Sequence, residues 1–261
     1  MMNTEVRLNC GINMPVLGLG TYSYPNDRQT TELAIDMALK MGYRHFDTAK
    51  IYGSEPAVGH ALTEAILDQT VDREGIFVTS KLWGSDHHDP VSALRQTLKC
   101  IGVSNFSSKK IQSLLDFASV PPAVNQVEMH PMWRQRKLRD FCADYKIHVS
   151  AYSPLGGPGN AWGTTAVVEN PIIQSISRKH KTTPAQVALQ WGLSKGSSMI
   201  VKSFNQKRLK ENMEALNVKL DAQDLTDIEK LEEWKIMRGE FLVNDSTSPY
   251  KTIEDLWDGE I

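Results

Sequence analysis

Short apolar runs rich in β-branched residues alternate with amphipathic stretches along the whole chain. The strand-like runs fall at residues 16–19, 44–47, 76–81, 101–104, 123–129, 148–152 and 198–202. Between them, apolar positions recur at helical spacing over 31–40, 55–68, 90–99, 109–117, 137–145, 184–195 and 206–216, with a further helical stretch over 222–234. Gly42 follows the first of these where a left-handed cap would end it. Strict alternation of strand and helix predicts parallel strands, and strands buried on both faces read as near-continuous apolar runs, as these do. An opening hairpin is expected as well, from Val6-Arg7-Leu8 through Asn9 to Ile12 and back by Met14, plugging one end of the sheet.

Polar residues gather where the strands end: Asp47, Lys81, Ser104-Asn105, Gln126 and Glu128, Tyr152-Ser153, Lys202-Ser203. A (β/α) barrel keeps its chemistry at that end. A doubly wound sheet is the competing architecture and wants a phosphate-binding glycine loop. Gly18-Leu19-Gly20-Thr21-Tyr22-Ser23 is only a partial version, with no helix opening directly on it. The expected fold is therefore α/β, a TIM-type barrel in one domain over residues 1–261. Only seven strands are recognisable, where a closed barrel has eight. One βα unit is missing from the pattern, and an open or strained seam is expected between the strands ending at Lys81 and Ser104.

Composition narrows the partners. Twenty-nine Lys and Arg against 31 Asp and Glu leave a net charge of −2, which gives no attraction to nucleic acid or an anionic membrane. A hydrophobic fraction of 41% can fill a core. Cys10, Cys100 and Cys142 are odd in number and lack metal-ligand spacing, so no metal is expected and a reducing compartment is. The N-terminal residues lack an apolar signal core and no run is long enough to cross a bilayer, so the expected address is cytoplasmic.

The first strand end with chemistry is Gly42-Tyr43-Arg44-His45-Phe46-Asp47-Thr48-Ala49, running on to Tyr52-Gly53-Ser54-Glu55. It offers an acid and, five residues on, a phenol; the next strand offers Lys81. Together these can make one proton-donating unit. Lys81 beside Tyr52 is expected to lower the tyrosine's pKa, and Asp47 to pin the ammonium. A structural ion pair beside a buried tyrosine is the plainer alternative. Lys202, Ser203 and Arg208 stand at the start of a helix, a combination suited to a dianionic phosphate. Lys207 and Lys210 suit a solvated face.

These motifs resemble the aldo-keto reductase family over essentially the whole chain. The likeness is to plant-type members that reduce aldehydes and ketones of specialised metabolism, codeinone, methylecgonone and polyketide reductases among them. The resemblance implies that Asp47, Tyr52 and Lys81 are three of four catalytic residues, with Tyr52 the proton donor. It implies NADP(H) as cofactor: Ser104, Asn105 and Gln126 on the nicotinamide carboxamide, Tyr152 stacked on its ring, and Ser153 and Leu155 over the pyrophosphate. Lys202, Ser203, Phe204, Arg208, Glu211 and Asn212 match the adenosine-phosphate motif, and Thr21 borders the cleft beside Asp47. The implied partner is a small carbonyl substrate bound by a monomer. It also locates the gap between Lys99 and Cys100, where relatives carry a strand ending in the fourth catalytic residue, a histidine. His45 and His130 are expected to be structural, and His87 and His88 to lie in a solvated loop. Two functions follow: a reductase impaired by that loss, or a non-catalytic splice form, gene-model artefact or degenerate paralogue that at most binds cofactor.

Overall fold

The computed structural model describes residues 4–82 and 100–261. The helix expected over 90–99, together with His87 and His88, lies outside the described residues.

The chain opens with an antiparallel hairpin, β1 (Glu5–Arg7) and β2 (Asn13–Pro15), with Val6 opposite Met14. Seven parallel strands follow: β3 (Leu17–Gly20), β4 (His45–Asp47), β5 (Phe77–Thr79), β6 (Val103–Ser104), β7 (Val124–Glu128), β8 (His148–Tyr152) and β9 (Ser198–Val201). Their order in the sheet is β5-β4-β3-β9-β8-β7-β6. The first and last strands of the series, β3 and β9, pair directly, Leu19 against Val201. That pairing is the closure of a barrel. Among the described residues the opening lies instead between β5 and β6, each paired on one side only. The seven strands and the open seam both match the expectation from the sequence.

Helices cover the outside. They are α1 (Arg28–Lys40), α2 (Glu55–Leu67), α3 (Ser108–Leu115), α4 (Arg136–Asp144), α5 (Ala166–Glu169), α6 (Pro171–His180), α7 (Pro184–Ser194), α8 (Gln206–Glu214), α9 (Ala222–Ile228) and α10 (Ile253–Trp257). Two corrections apply. The helix expected over 222–234 stops at Ile228, because the next turn is drawn aside: Glu229 and Glu233 both reach the Arg134 guanidinium. Helices α5, α6 and α10 were absent from the expected pattern, although Asn170 caps α6 by accepting from the Ile172 N–H, with Pro171 at its first position. Asn-Pro before an apolar repeat was the available signal.

The core lies between sheet and helices and includes Leu19, Ile35, Tyr43, Phe46, Leu189, Trp191 and Met199, all essentially inaccessible. Helix α7 is buried from Gln186 to Leu193 and held at its start by a reciprocal capping box between Thr183 and Gln186. Gly18 is required by close packing. A Cβ there would sit 2.7 Å from Ile200 Cδ1 and 2.9 Å from His45 Nδ1. The His45 ring is buried between strands, with Nε2 2.9 Å from Thr79 Oγ1 and Nδ1 3.3 Å from the Pro15 carbonyl oxygen. It serves the scaffold, as expected. Among the described residues no helix is long and apolar enough to cross a membrane.

Candidate active site

Strand β4 ends at Asp47, whose carboxylate is buried inside the sheet. Just beyond the end of the neighbouring strand β5, Lys81 donates to both carboxylate oxygens at 2.7 Å and to the Thr48 carbonyl at 3.0 Å. A short 3-10 turn, Lys50–Tyr52, then returns the chain to the same mouth. It ends on Gly53 at φ 64°, a conformation glycine adopts without steric cost. Lys81 Nζ comes 5.0 Å from the centre of the Tyr52 ring, and Tyr22 packs edge-on against that ring at 5.2 Å. Thr21 is fully buried. Its N–H and hydroxyl both reach the Asp47 carbonyl oxygen at 3.0 Å, and its hydroxyl meets Ser54 Oγ, itself 2.8 Å from Thr48 Oγ1. Asp47, Lys81, Tyr52 and Thr21 are thus brought together.

The expected direction of the Tyr52 pKa is wrong. Burial raises it well above the ordinary phenol value, and the charge of Asp47 and the Tyr22 ring add to the rise. Lys81, whose ammonium is bonded to Asp47 and stands over the ring, does not outweigh the burial. Tyr52 is therefore a phenol that keeps its proton at neutral pH.

On the opposite wall, Ser104 Oγ donates to the Gln126 carbonyl at 3.0 Å, and the Asn105 N–H reaches the same oxygen at 2.9 Å. Asn105 adopts φ 59° and accepts at Oδ1 from the Tyr152 hydroxyl, 3.0 Å away. Burial, then the charge of Glu128 and the neighbouring Tyr52 phenol, hold the Tyr152 phenol far above its usual value. Ser153 turns the chain at φ 50°, and the half-buried Leu155 packs against the core. The Gln126 side chain points across the interior, donating from Nε2 to Asp47 Oδ2 at 2.8 Å. Nothing in the sequence pattern indicated that bond.

After β9, Lys202 Nζ lies 4.4 Å from the Phe204 ring centre. Arg208 Nε donates to Ser203 Oγ at 3.3 Å, while Asn205 caps α8 by accepting from the Arg208 N–H. Partial burial and the neighbouring Arg208 cation hold the Lys202 ammonium below its ordinary value. Among the described residues no carboxylate pairs with either cation. Glu211 is turned away to accept from Thr183 Oγ1 at 2.6 Å, beside a polar cleft of about 410 Å³ that Lys207 and Lys210 also line. Asn212 is buried on α8.

One charged group expected at a strand end, but given no role there, has partners that the sequence did not indicate. Glu128, last in β7, is fully buried and accepts from the Ile236 and Met237 N–H groups at 2.8 Å each. His130 Nε2 lies 3.0 Å from it, and Lys235 Nζ 3.9 Å. Burial opposes the Glu128 charge, yet these partners hold its pKa below the ordinary value. Lys235 itself is pushed down to about 8 by burial and stands 3.7 Å from the Trp257 ring centre. His130 is thus occupied with Glu128.

Two comparisons bear on this geometry. The model of the aldo/keto reductase family matches residues 16–97 and 89–233, in two overlapping pieces. The (1S)-1,7-diacetoxy-luvungin A aldo-keto reductase of Citrus sinensis is 37% identical over 305 residues, covering 95% of each chain. Aldo-keto reductase family 4 member C11 of Arabidopsis thaliana is 36% identical over 309, covering 98% of each. Deoxymugineic acid synthase 1 of Zea mays is 37% identical over 317, covering all of both. An alignment of 317 positions over a chain of 261 leaves residues of the relative with no counterpart here. With a barrel-like sheet carrying Asp47, Lys81 and Tyr52 at its C-terminal mouth, this chain belongs to the aldo/keto reductase family, whose members reduce carbonyl compounds with NAD(P)H.

Proposed function

We propose that this chain is an NADPH-dependent reductase of small aldehydes or ketones, with Tyr52 as proton donor, and that it turns over slowly. The observation that carries this reading is the Asp47–Lys81–Tyr52 constellation at adjacent strand ends, with Lys81 bonded to both Asp47 oxygens and 5.0 Å from the Tyr52 ring centre. A phenol held protonated by burial is in the correct state to give its proton to a carbonyl oxygen as negative charge develops there. The Lys81 ammonium, fixed by Asp47, stabilises the phenolate left behind.

The residues present fit NADPH. Lys202 and Arg208, with no carboxylate partner among the described residues, form a basic pair at the start of α8, with Ser203 beside them, suited to a 2′-phosphate. Phe204, Glu211 and Asn212 complete that end, Ser153 and Leu155 the pyrophosphate stretch, and Ser104, Asn105 and Gln126 the carboxamide contacts. Tyr152 provides the stacking face. Bound NADPH supplies the hydride; the chain's own part is to orient the carbonyl and deliver the proton.

The slow turnover follows from the gap. A deletion between Lys99 and Cys100, removing a βα unit and its histidine, is supported by the seam between β5 and β6 and by alignments longer than the chain. Losing one acid–base participant costs about 10²–10⁴ in rate. A second reading, a cofactor-binding chain without turnover, rests on the same gap, since the phosphate-end residues lie on β9 and α8, away from the seam between β5 and β6. The test is NADPH consumption with a panel of aldehydes and ketones, alongside Tyr52→Phe and NADPH titration by tryptophan fluorescence. Slow turnover lost in Tyr52→Phe supports the reductase. Activity unchanged in Tyr52→Phe would refute Tyr52 as donor. Binding without any turnover would favour the second reading.

A further inference from the structure

The open seam leaves β5 and β6 with one strand neighbour each, and the N-terminal hairpin lies across it at the sheet's N-terminal end. Leu8 and Met14 pack with Ala123 in a small buried cluster of their own. Phe77 touches this cluster from the β5 side of the seam, and Cys100 and Val124 from the β6–β7 side. Asn9 Nδ2 donates to the Pro122 carbonyl at 3.0 Å, fastening the hairpin turn to the segment that enters β7. A cleft of about 450 Å³ runs beside it, lined by Arg7, Ile12, Phe77, Val78 and Cys100.

Cys10 is exposed in the hairpin turn, and Cys100 is half-buried where the chain enters β6. The two are joined, with Cα atoms 6.1 Å apart and 90 residues between them in sequence. That separation lies within the ordinary range for a disulfide. Cys142, the remaining cysteine, is buried in α4, its thiol pushed up to about 11 by burial, so it does not compete as a nucleophile.

We propose that Cys10 and Cys100 form a reversible redox staple that locks the hairpin over the open seam, modified by small disulfides and thiols of the glutathione class. In the closing direction, the Cys10 thiolate attacks one sulfur of the small disulfide and expels one small thiol. The Cys100 thiolate then displaces the second small thiol from the mixed disulfide. Two electrons and two protons pass from the protein to the small disulfide, giving one protein disulfide and two small thiols. The exposed Cys10 is the accessible partner for both directions. In the reduced state the hairpin keeps the small apolar cluster, the Asn9 bond and the His45 contact to the Pro15 carbonyl, but loses its covalent tie to the β6 side of the seam. Strand β6, two residues long, then keeps only its pairing to β7. Redox state thus sets the rigidity of the strand that ends at Ser104, just before Asn105.

The experiment compares the full chain equilibrated with oxidised glutathione and with excess dithiothreitol, without denaturation. Peptide mapping under non-reducing conditions is expected to give a Cys10–Cys100 linked pair, leaving Cys142 as the one free thiol. Closing a loop of this length is expected to shift the unfolding equilibrium in denaturant by about 10³-fold toward the folded state. Amide exchange in residues 5–15 is expected to slow by about 10-fold or more. Cys142→Ala keeps both differences, and Cys10→Ser or Cys100→Ser abolishes them. The wild-type comparison stands if a Ser variant fails to fold. A link to Cys142, links between chains, or equal exchange in the two redox states would overturn the staple.

Discussion

Replacing Lys81 by Met tests the energetics at the centre of the site. The Asp47 side chain is only 4% exposed, and Lys81 at 19% supplies two of the three hydrogen bonds its carboxylate receives among the described residues. Among the described residues, Lys81→Met leaves a buried carboxylate with the Gln126 bond alone. Removing one partner of a buried pair costs about 3–5 kcal/mol, and the surviving Gln126 bond puts this case near about 3. For a chain of this size that lowers Tm by about 6–12 °C. Asp47→Asn is less severe, because the Lys81 ammonium keeps the Thr48 carbonyl and some contact with water. It should cost about 1–2 kcal/mol. The double variant should cost less than the sum of the two, by about 1–2 kcal/mol, since the second change removes a charge the first stranded. Urea unfolding followed by tryptophan fluorescence measures all three, with Trp191 fully buried as a reporter. A cost below about 1 kcal/mol for Lys81→Met, or a larger cost for Asp47→Asn, would mean that the pair is solvated and the inference of a pinned ammonium is wrong.

Acid should weaken the fold through His45. Burial holds its pKa at about 4, against 6.5 for the ordinary group, so the unfolded chain takes up a proton between these values that the folded chain refuses. Stability is full above pH 6.5, falls by about 3 kcal/mol as pH drops toward 4, and then levels off for this group; His148 adds a fall in the same window. Denaturant titrations at pH 7 and 5 check this, with His45→Gln expected to flatten the slope and equal stability at both pH values contradicting it. At the phosphate end, Lys202→Ala and Arg208→Ala should each weaken NADPH binding by about 10–100-fold while leaving NADH nearly unchanged. Equal losses for the two cofactors, measured by fluorescence quenching, would rule out a 2′-phosphate site. Glu128→Gln should cost about 3 kcal/mol because it strands the buried Lys235 and weakens the clamp on Ile236 and Met237. Amide exchange at those two residues no faster than in the parent would show that the clamp does not hold the segment.

The strand pattern carried most of the fold. All seven sheet strands lie within or within one residue of the runs expected from the sequence, because buried parallel strands leave continuous apolar signatures that local reading detects. The Asp47–Lys81 bond was legible for a related reason: both residues end adjacent strands, and parallel register brings such ends together. What escaped depends on distances through space. Lys235 looks like a surface cation in an acidic stretch, and only the packed Trp257 ring and Glu128 show that it is buried. Tyr52 was assigned a lowered pKa from its charged neighbour, whereas the desolvation that outweighs that neighbour has no sequence signature. The Cys10–Cys100 pairing spans 90 residues and follows from a hairpin crossing a seam.

The Gln126–Asp47 bond shows how a sheet missing one strand still presents a barrel's mouth. Along the sheet, β4 and β7 are separated by β3, β9 and β8. Their side chains nevertheless meet at 2.8 Å, which requires the sheet to curl back until its interior faces touch. In a closed barrel that curvature is imposed by the continuous hydrogen-bonded ring of strands. Here the ring is interrupted between β5 and β6, so the curvature rests on contacts through the interior and on the hairpin across the seam. A buried hydrogen bond to a carboxylate is among the stronger of these contacts, worth about 1.5–3 kcal/mol. The same amide is the one assigned to the cofactor. Its two N–H groups allow it to serve both, provided the bond to Asp47 persists when the carboxamide binds. Gln126 thus supports the shape of the mouth at the position proposed to meet the cofactor.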